Sequence, residues 1–302
     1  MLMPFHMIGL AVTGGLILSK TNAKQKINNN RTNPLTPLIK SVNRMTEKIT
    51  KTLKKEDYTG IVQQFLPQGA ILIKPQFPPT NQSVFTADLD GDYQNELIAI
   101  YTYNNEIWIL VCKKSNEKWE ATTQLKNTDY KSINYLGFAD VKGTGSKNLL
   151  IGWNTDDIYN KLDILKFENS QFDIMDSLEY SRLEVTDFSS RNKTASPAEI
   201  AVWTKNEENT YNINVLAWDG EKLSAVGNPT SYYARRVVPY FIQKVRSNSA
   251  SEYDWYNLSE ALLKAQAYRD VLLSIDIGMR INNDKTLAEN FASIRKAALE
   301  KM

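Results

Sequence analysis

The nine residues Asp88-Leu89-Asp90-Gly91-Asp92-Tyr93-Gln94-Asn95-Glu96 set three aspartates at alternate positions and close them with a glutamate. Alternate carboxylates in a tight loop point at one centre, and Gly91 lets the backbone turn. Hard oxygen donors at this density suit calcium, with Asp88, Asp90, Asp92, the Gln94 carbonyl and Glu96 as the candidate set. Four carboxylates this close repel one another unless a cation sits among them. The competing reading is an Asp-rich turn whose side chains bond its own backbone amides. An ion held here is held weakly, with a dissociation constant on the order of 10⁻⁴ to 10⁻³ M.

Little other chemistry is available. The only histidine is His6, so no imidazole serves as general base or metal ligand in the body of the chain, which removes most hydrolase mechanisms. The only cysteine, Cys112, excludes an internal disulfide and lies in the apolar run IWILVC, the setting of a buried, inert thiol. A net charge of +2 over 302 residues argues against a general nucleic-acid binder. Asp156-Asp157 stand in a loop after Trp153, with no partner acid at an identifiable distance.

The acidic loop sits between two strands, Ser83 to Leu89 and Glu96 to Tyr103. Strands follow at Glu106 to Lys113 and Trp119 to Leu125, joined by a turn at Ser115-Asn116-Glu117-Lys118. The same order recurs with an offset of 52 to 53 residues: Ala139-Asp140-Val141 matches Ala87-Asp88-Leu89, and Leu149 to Trp153 matches Leu97 to Tyr101. A third, eroded copy keeps Ala198 to Trp203 and a hairpin with a tight Asp219-Gly220 turn. Four short strands per period of this length are the signature of stacked β units, each burying an apolar stripe only against its neighbours. Three units are fewer than a closed propeller needs. The array is incomplete, or gains strands from residues 58–82, or packs in some other way. Trp108, Trp153, Trp203 and Trp218 read as core layers rather than sugar platforms.

The pattern ADLDGDxxxEL resembles the FG-GAP or VCBS-type repeats of integrin-like propellers, over about residues 83–225. That resemblance implies a calcium site between two strands of a blade, on Asp88, Asp90, Asp92, Gln94 and Glu96. In the second copy Lys142, Thr144 and Asn148 replace Asp90, Asp92 and Glu96, so no metal is expected there. The third copy has Asp187 and Glu199 around a longer loop, with no ligand array. The layout is also similar to exported VCBS-repeat proteins of Gram-positive bacteria that end in a helical segment, a resemblance that brings no activity with it.

Around this β region the periodicity changes. Residues 7–18 form an apolar run of signal-peptide length, and Thr21-Asn22-Ala23 is a candidate cleavage site, although the segment before the run lacks Lys and Arg. Residues 24–34 are polar, and residues 35–57 space Leu38, Val42, Met45, Ile49 and Leu53 as one amphipathic helix. After Pro229 the apolar period becomes that of helices. Tyr232 to Arg246 carries Pro239, which kinks or restarts it. Glu252 to Ala265 presents Trp255, Leu258 and Leu262. Tyr268 to Ile281 presents Leu272, Ile275 and Met279, and Thr286 to Lys301 is a last helix. Trp255, Leu258, Leu262 and Ile275 resemble one tetratricopeptide-like hairpin; Ser259 and Gly278 are suitably small, and Val271 replaces the usual alanine. The helices read as a cap on the β array, with a peptide groove as the alternative. Arg235-Arg236 beside Tyr232-Tyr233 read as a solvated helix start, with a grip on an anionic or peptide ligand as the alternative.

The expectation is therefore an α+β chain. Residues 1–23 are a signal-like segment and 24–57 a linker with a helix. Residues 58–230 form a propeller-like domain of three four-stranded antiparallel units, and 231–302 a small helical domain. Its function reads as a non-enzymatic, exported or cell-surface binding module with one calcium loop and a protein or cell-wall ligand. No membrane span is expected beyond an N-terminal signal or anchor. The alternatives are a carboxylate-dependent polysaccharide hydrolase or lyase, and a cytoplasmic helical-repeat adaptor.

Overall fold

A computed structural model describes residues 56–186, 197–206, 210–247, 250–282 and 284–302, and Asp57–Met302 form one compact unit. The readings for His6, residues 7–18 and 21–23, the helix over 35–57 and Asp187 lie outside the described residues.

Helix α1 (Tyr58–Gln63), capped by the Asp57 side chain, leads into three antiparallel sheets. Sheet one contains β1 (Ile71–Leu72), β2 (Val84–Ala87), β3 (Glu96–Tyr103), β4 (Glu106–Ser115) and β5 (Lys118–Asn127). Sheet two is the meander β6 (Ile133–Ala139), β7 (Asn148–Trp153), β8 (Asn160–Glu168) and β9 (Gln171–Tyr180). Sheet three is the meander β10 (Arg182–Thr186), β11 (Glu199–Lys205), β12 (Tyr211–Trp218) and β13 (Leu223–Ala225). The helical region follows as α2 (Thr230–Tyr232), a π-helical stretch Tyr233–Val237, α3 (Val238–Val245), α4 (Glu252–Lys264), α5 (Tyr268–Ile281) and α6 (Lys285–Leu299).

Strands β3, β7 and β11 show why the sheets stack. Successive side chains of a strand point to opposite faces, so a strand between two layers must be apolar at odd and even positions alike. In β3, Leu97, Ala99 and Tyr101 pack toward α1, and Ile98 and Ile100 toward sheet two. In β7, Leu149, Ile151 and Trp153 face sheet one, and Leu150 faces sheet three. In β11, Ile200 and Val202 face sheet two, whereas Ala201 and Trp203 face the helices. The layers therefore run α1, three sheets, helical region. The sheets do not close into a ring: helices cover the outer face at each end of the stack.

Two further contacts tie neighbouring layers. The Asp88 carbonyl accepts from the Lys147 N–H at 2.7 Å, and the Asp140 carbonyl from the Ala198 N–H at 2.7 Å. At the far end, Trp203 Nε1 donates to the Tyr232 hydroxyl at 2.6 Å and the Tyr233 hydroxyl donates to the Ile213 carbonyl at 2.6 Å. The helices thus cover a sheet face, not the strand edge a cap would protect.

Several local expectations shift by small amounts. Sheet one takes its fifth strand, β1, from the stretch 58–82. The proline-rich residues 74–79 lay Phe77 along β6, its N–H donating to the Asn134 carbonyl at 2.7 Å and its carbonyl accepting from the Leu136 N–H at 3.0 Å. The last hairpin turns at Gly220-Glu221, one residue later than expected: Asp219 N–H bonds the Lys222 carbonyl at 3.0 Å, and the Asp219 carboxylate caps Glu221 and Lys222. Pro239 sits in the first turn of α3, directly after the π-helical stretch. Proline supplies no N–H to the turn before it and clashes with that turn's carbonyl, which the widened π turn relieves. In α5 the buried stripe is Val271, Ser274, Ile275 and Gly278, and Met279 is exposed rather than inward. Small residues win that face because the helices meet closely: Ser259 and Ser274 hydroxyls lie 2.7 Å apart, and a Cβ on Gly278 would stand 2.6 Å from Phe291 Cζ.

Candidate cation site

The loop between β2 and β3 is shaped by Asp88. Its carboxylate accepts from the Gly91 N–H at 2.7 Å and the Tyr93 N–H at 2.9 Å, closing the turn on itself. Gly91 and Tyr93 both take left-handed backbone angles, φ 81° and 66°. Glycine bears the first at no cost; Tyr93 bears the second with its ring almost wholly in solvent. Sheet two builds the same loop with other letters. Asp140 accepts from Thr144 at 2.9 Å and Gly145 at 2.7 Å, and Gly143 and Gly145 hold the left-handed positions. The turn itself therefore needs only its first aspartate and the permissive residues.

What sheet one adds is charge. Glu96, the first residue of β3, is fully buried, and one of its oxygens accepts from the Leu89 N–H at 2.8 Å. Asn148 does this for Val141 in sheet two at 3.2 Å, and spends its amide on the Leu165 carbonyl and the Met175 sulfur. Glu96 has no such outlet: its second oxygen, Oε1, is buried and has no hydrogen-bond partner. Burial pushes the Glu96 carboxyl up to about 7, against the Leu89 hydrogen bond that pulls it down. Donor oxygens of Asp88, Asp90 and Glu96 come within 4.8 Å of one another. A buried glutamate with one orphaned oxygen, clustered with two more carboxylates, is a donor set that fits a hard divalent cation.

Of the five candidate ligands, the structure brings together Asp88, Asp90 and Glu96. Asp92 lies outside that group and accepts from the Gln94 N–H at 2.8 Å, so Gln94 enters the loop through its amide. Asp92 also accepts the Lys113 ammonium at 2.9 Å, and the same ammonium is ion-paired to Asp90. The Lys113 hydrogen bond, with that from Gln94, holds the Asp92 carboxyl low, and its two aspartates hold Lys113 well above the usual lysine range.

Sequence reasoning missed Lys113, although the β3–β4 hairpin contains the signal. Asn104 and Asn105 both have positive φ, so the hairpin closes on a two-residue turn pairing Tyr103 with Glu106. The register then pairs Leu97 with Cys112, and the next step sets Lys113 across from Glu96.

Asp156 and Asp157, read without a partner acid, line an open cavity of about 570 Å³ with Asp129, Glu179, Tyr130 and Lys161. Lys131 and Asp156 approach at 3.8 Å there with both side chains about nine-tenths exposed, so they are screened by solvent. Beside the cavity, the buried Asp163 carboxylate accepts from Trp153 Nε1 at 2.8 Å and the Ser177 hydroxyl at 2.6 Å. Among the described residues no helix is long and apolar enough to cross a membrane. Compared with known proteins, the chain matches no family model, and no curated protein is significantly similar to it.

Proposed function

We propose that this chain is a non-catalytic, exported or cell-surface binding module whose first β unit holds one calcium ion weakly on Asp88, Asp90 and Glu96. The observation that carries it is the buried, unpartnered Oε1 of Glu96, a residue clustered with Asp88 and Asp90. A buried polar atom without a partner is costly, and sheet two avoids that cost with an asparagine at the same place. The loop resembles the calcium loops of FG-GAP and VCBS-type repeats, and the stack of three antiparallel sheets is what propeller-like units without ring closure would form. The helical end presents its outer side to a protein or cell-wall ligand.

Thermal unfolding of the full chain with calcium, with magnesium and after chelation tests this, beside Asp90→Ala. An ion that binds only the folded state raises stability by RT ln(1 + [L]/Kd), about 1.4 kcal/mol at ten times Kd. Stabilisation by calcium that disappears in Asp90→Ala supports the site; an identical midpoint in all three conditions removes it.

The runner-up, a carboxylate-dependent polysaccharide hydrolase or lyase, has its place in the cavity lined by Asp129, Asp156, Asp157 and Glu179. Release of reducing ends or unsaturated sugars from cell-wall polysaccharides, abolished by Asp156→Asn with Asp157→Asn, would favour it over the first reading.

A further inference from the structure

We infer that Lys113 is a tethered cation that competes with a divalent ion for the acidic loop, so that the Asp90 carboxylate is held by the ammonium or by the ion but not by both. This rests on the cation-binding reading above and specifies how that site is controlled. The ammonium of Lys113 pairs with Asp90 and lies 2.9 Å from Asp92. It leaves Glu96 Oε1 without a partner. The built-in charge therefore contacts the two exposed carboxylates directly and reaches the buried one only through space, without a hydrogen bond. An ion seated among Asp88, Asp90 and Glu96 shares Asp90 with that ammonium, and two cations on one carboxylate repel at close range.

Sheet two shows that the lysine is not fixed by its strand. The pairing of Leu149 with Leu165 sets Lys166 across from Asn148, the position Lys113 holds across from Glu96. There the loop offers Lys142 and Thr144 in place of Asp90 and Asp92, and Lys166 turns to Glu168 at 3.2 Å and Asp173 at 3.5 Å. A lysine at this register goes where the carboxylates are. The Lys113 side chain is 31% exposed, so it can leave for solvent when an ion takes Asp90. Asp92 then acts as a holder of the lysine rather than as a ligand.

The test is titration of the full chain with calcium and with terbium, read by calorimetry and by terbium luminescence, in the wild type, Lys113→Met, Lys113→Gln and Glu96→Gln. Circular dichroism and the unfolding midpoint in chelator confirm that each variant folds. The expected result is binding at least tenfold tighter in both Lys113 variants than in the wild type, and none in Glu96→Gln. Binding by the wild type that is unchanged or weaker in both Lys113 variants overturns the inference while leaving the cation site standing. Binding by the Lys113 variants alone upholds the competition and overturns the wild-type calcium site. No binding by any form overturns both, and makes Lys113 the permanent counter-ion of the loop.

Discussion

The backbone carbonyl of Asp88 accepts a hydrogen bond from the N–H of Lys147, 2.7 Å away on the next sheet, and Asp140 holds Ala198 in the same way. The residue whose side chain folds the acidic loop thus uses its main chain to fasten that loop to the following layer. Lys147→Pro removes the donor and leaves the Asp88 carbonyl unpaired, whereas Lys147→Ala keeps it. A loss of about 1–3 kcal/mol is expected for the proline variant, with little change for the alanine variant. Urea unfolding measures both, and equal midpoints would show that the fastening contributes nothing.

Glu96 should make the ion-free protein less stable as pH rises. Its carboxyl is pushed up to about 7 in the fold, above the value of 4.5 for an unconstrained glutamate. The folded state then holds the proton more tightly than the unfolded chain, so the contribution is complete below about 4.5 and is lost as pH rises through about 7. In chelator, Glu96→Gln should flatten that slope and be more stable at pH 8 by about 1–3 kcal/mol, given roughly 1.4 kcal/mol for each unit of displacement. Parallel curves of stability against pH for the two proteins would contradict this origin of the dependence.

Asp163 is buried and satisfies Trp153 Nε1, the Ser177 hydroxyl and Lys161. Asp163→Ala strands a buried indole N–H in the middle sheet and leaves Lys161 without that partner. A loss of about 3 kcal/mol is expected, with a changed tryptophan emission in the folded state. Wild-type stability in Asp163→Ala would mean that water or a shift of β8 replaces the carboxylate.

Gly278 is where α5 meets α4 and α6. A methyl group there would stand 2.6 Å from Phe291 Cζ and 3.0 Å from Trp255 Cβ. Alanine is the better helix former by about 1 kcal/mol, but overpacking a full core costs about 1–3 kcal/mol. Gly278→Ala should therefore be destabilising overall, by about 1 kcal/mol. A rise in the unfolding midpoint would show that the helices have room to separate.

The sequence by itself determined the elements and their grouping. Period-2 apolar strands, Asn- and Gly-bearing turns and an offset of 52 to 53 residues were enough to read three antiparallel units followed by helices, an α+β chain. The runs LIAIY and LLIGW are apolar at odd and even positions alike, yet the repeat pattern reads as a single apolar stripe per unit; the second covered face comes from the stacking of the sheets. Asp88, Asp90 and Glu96 were legible as a cluster because a tight loop leaves short side chains few directions.

Only the tertiary structure decided what lies against each face and which charge answers the carboxylates. That α1 and the helical region cover the two ends of the stack depends on pairing surfaces far apart in the chain, such as Trp203 with Tyr232, and local periodicity does not specify partners. Lys113 enters the acidic loop from a neighbouring strand, and Asp92, outside the cluster of Asp88, Asp90 and Glu96, pairs with it. A pattern of spacings along one segment shows which groups can converge. The register between strands, set by a two-residue turn at Asn104-Asn105, brings the opposing charge to them.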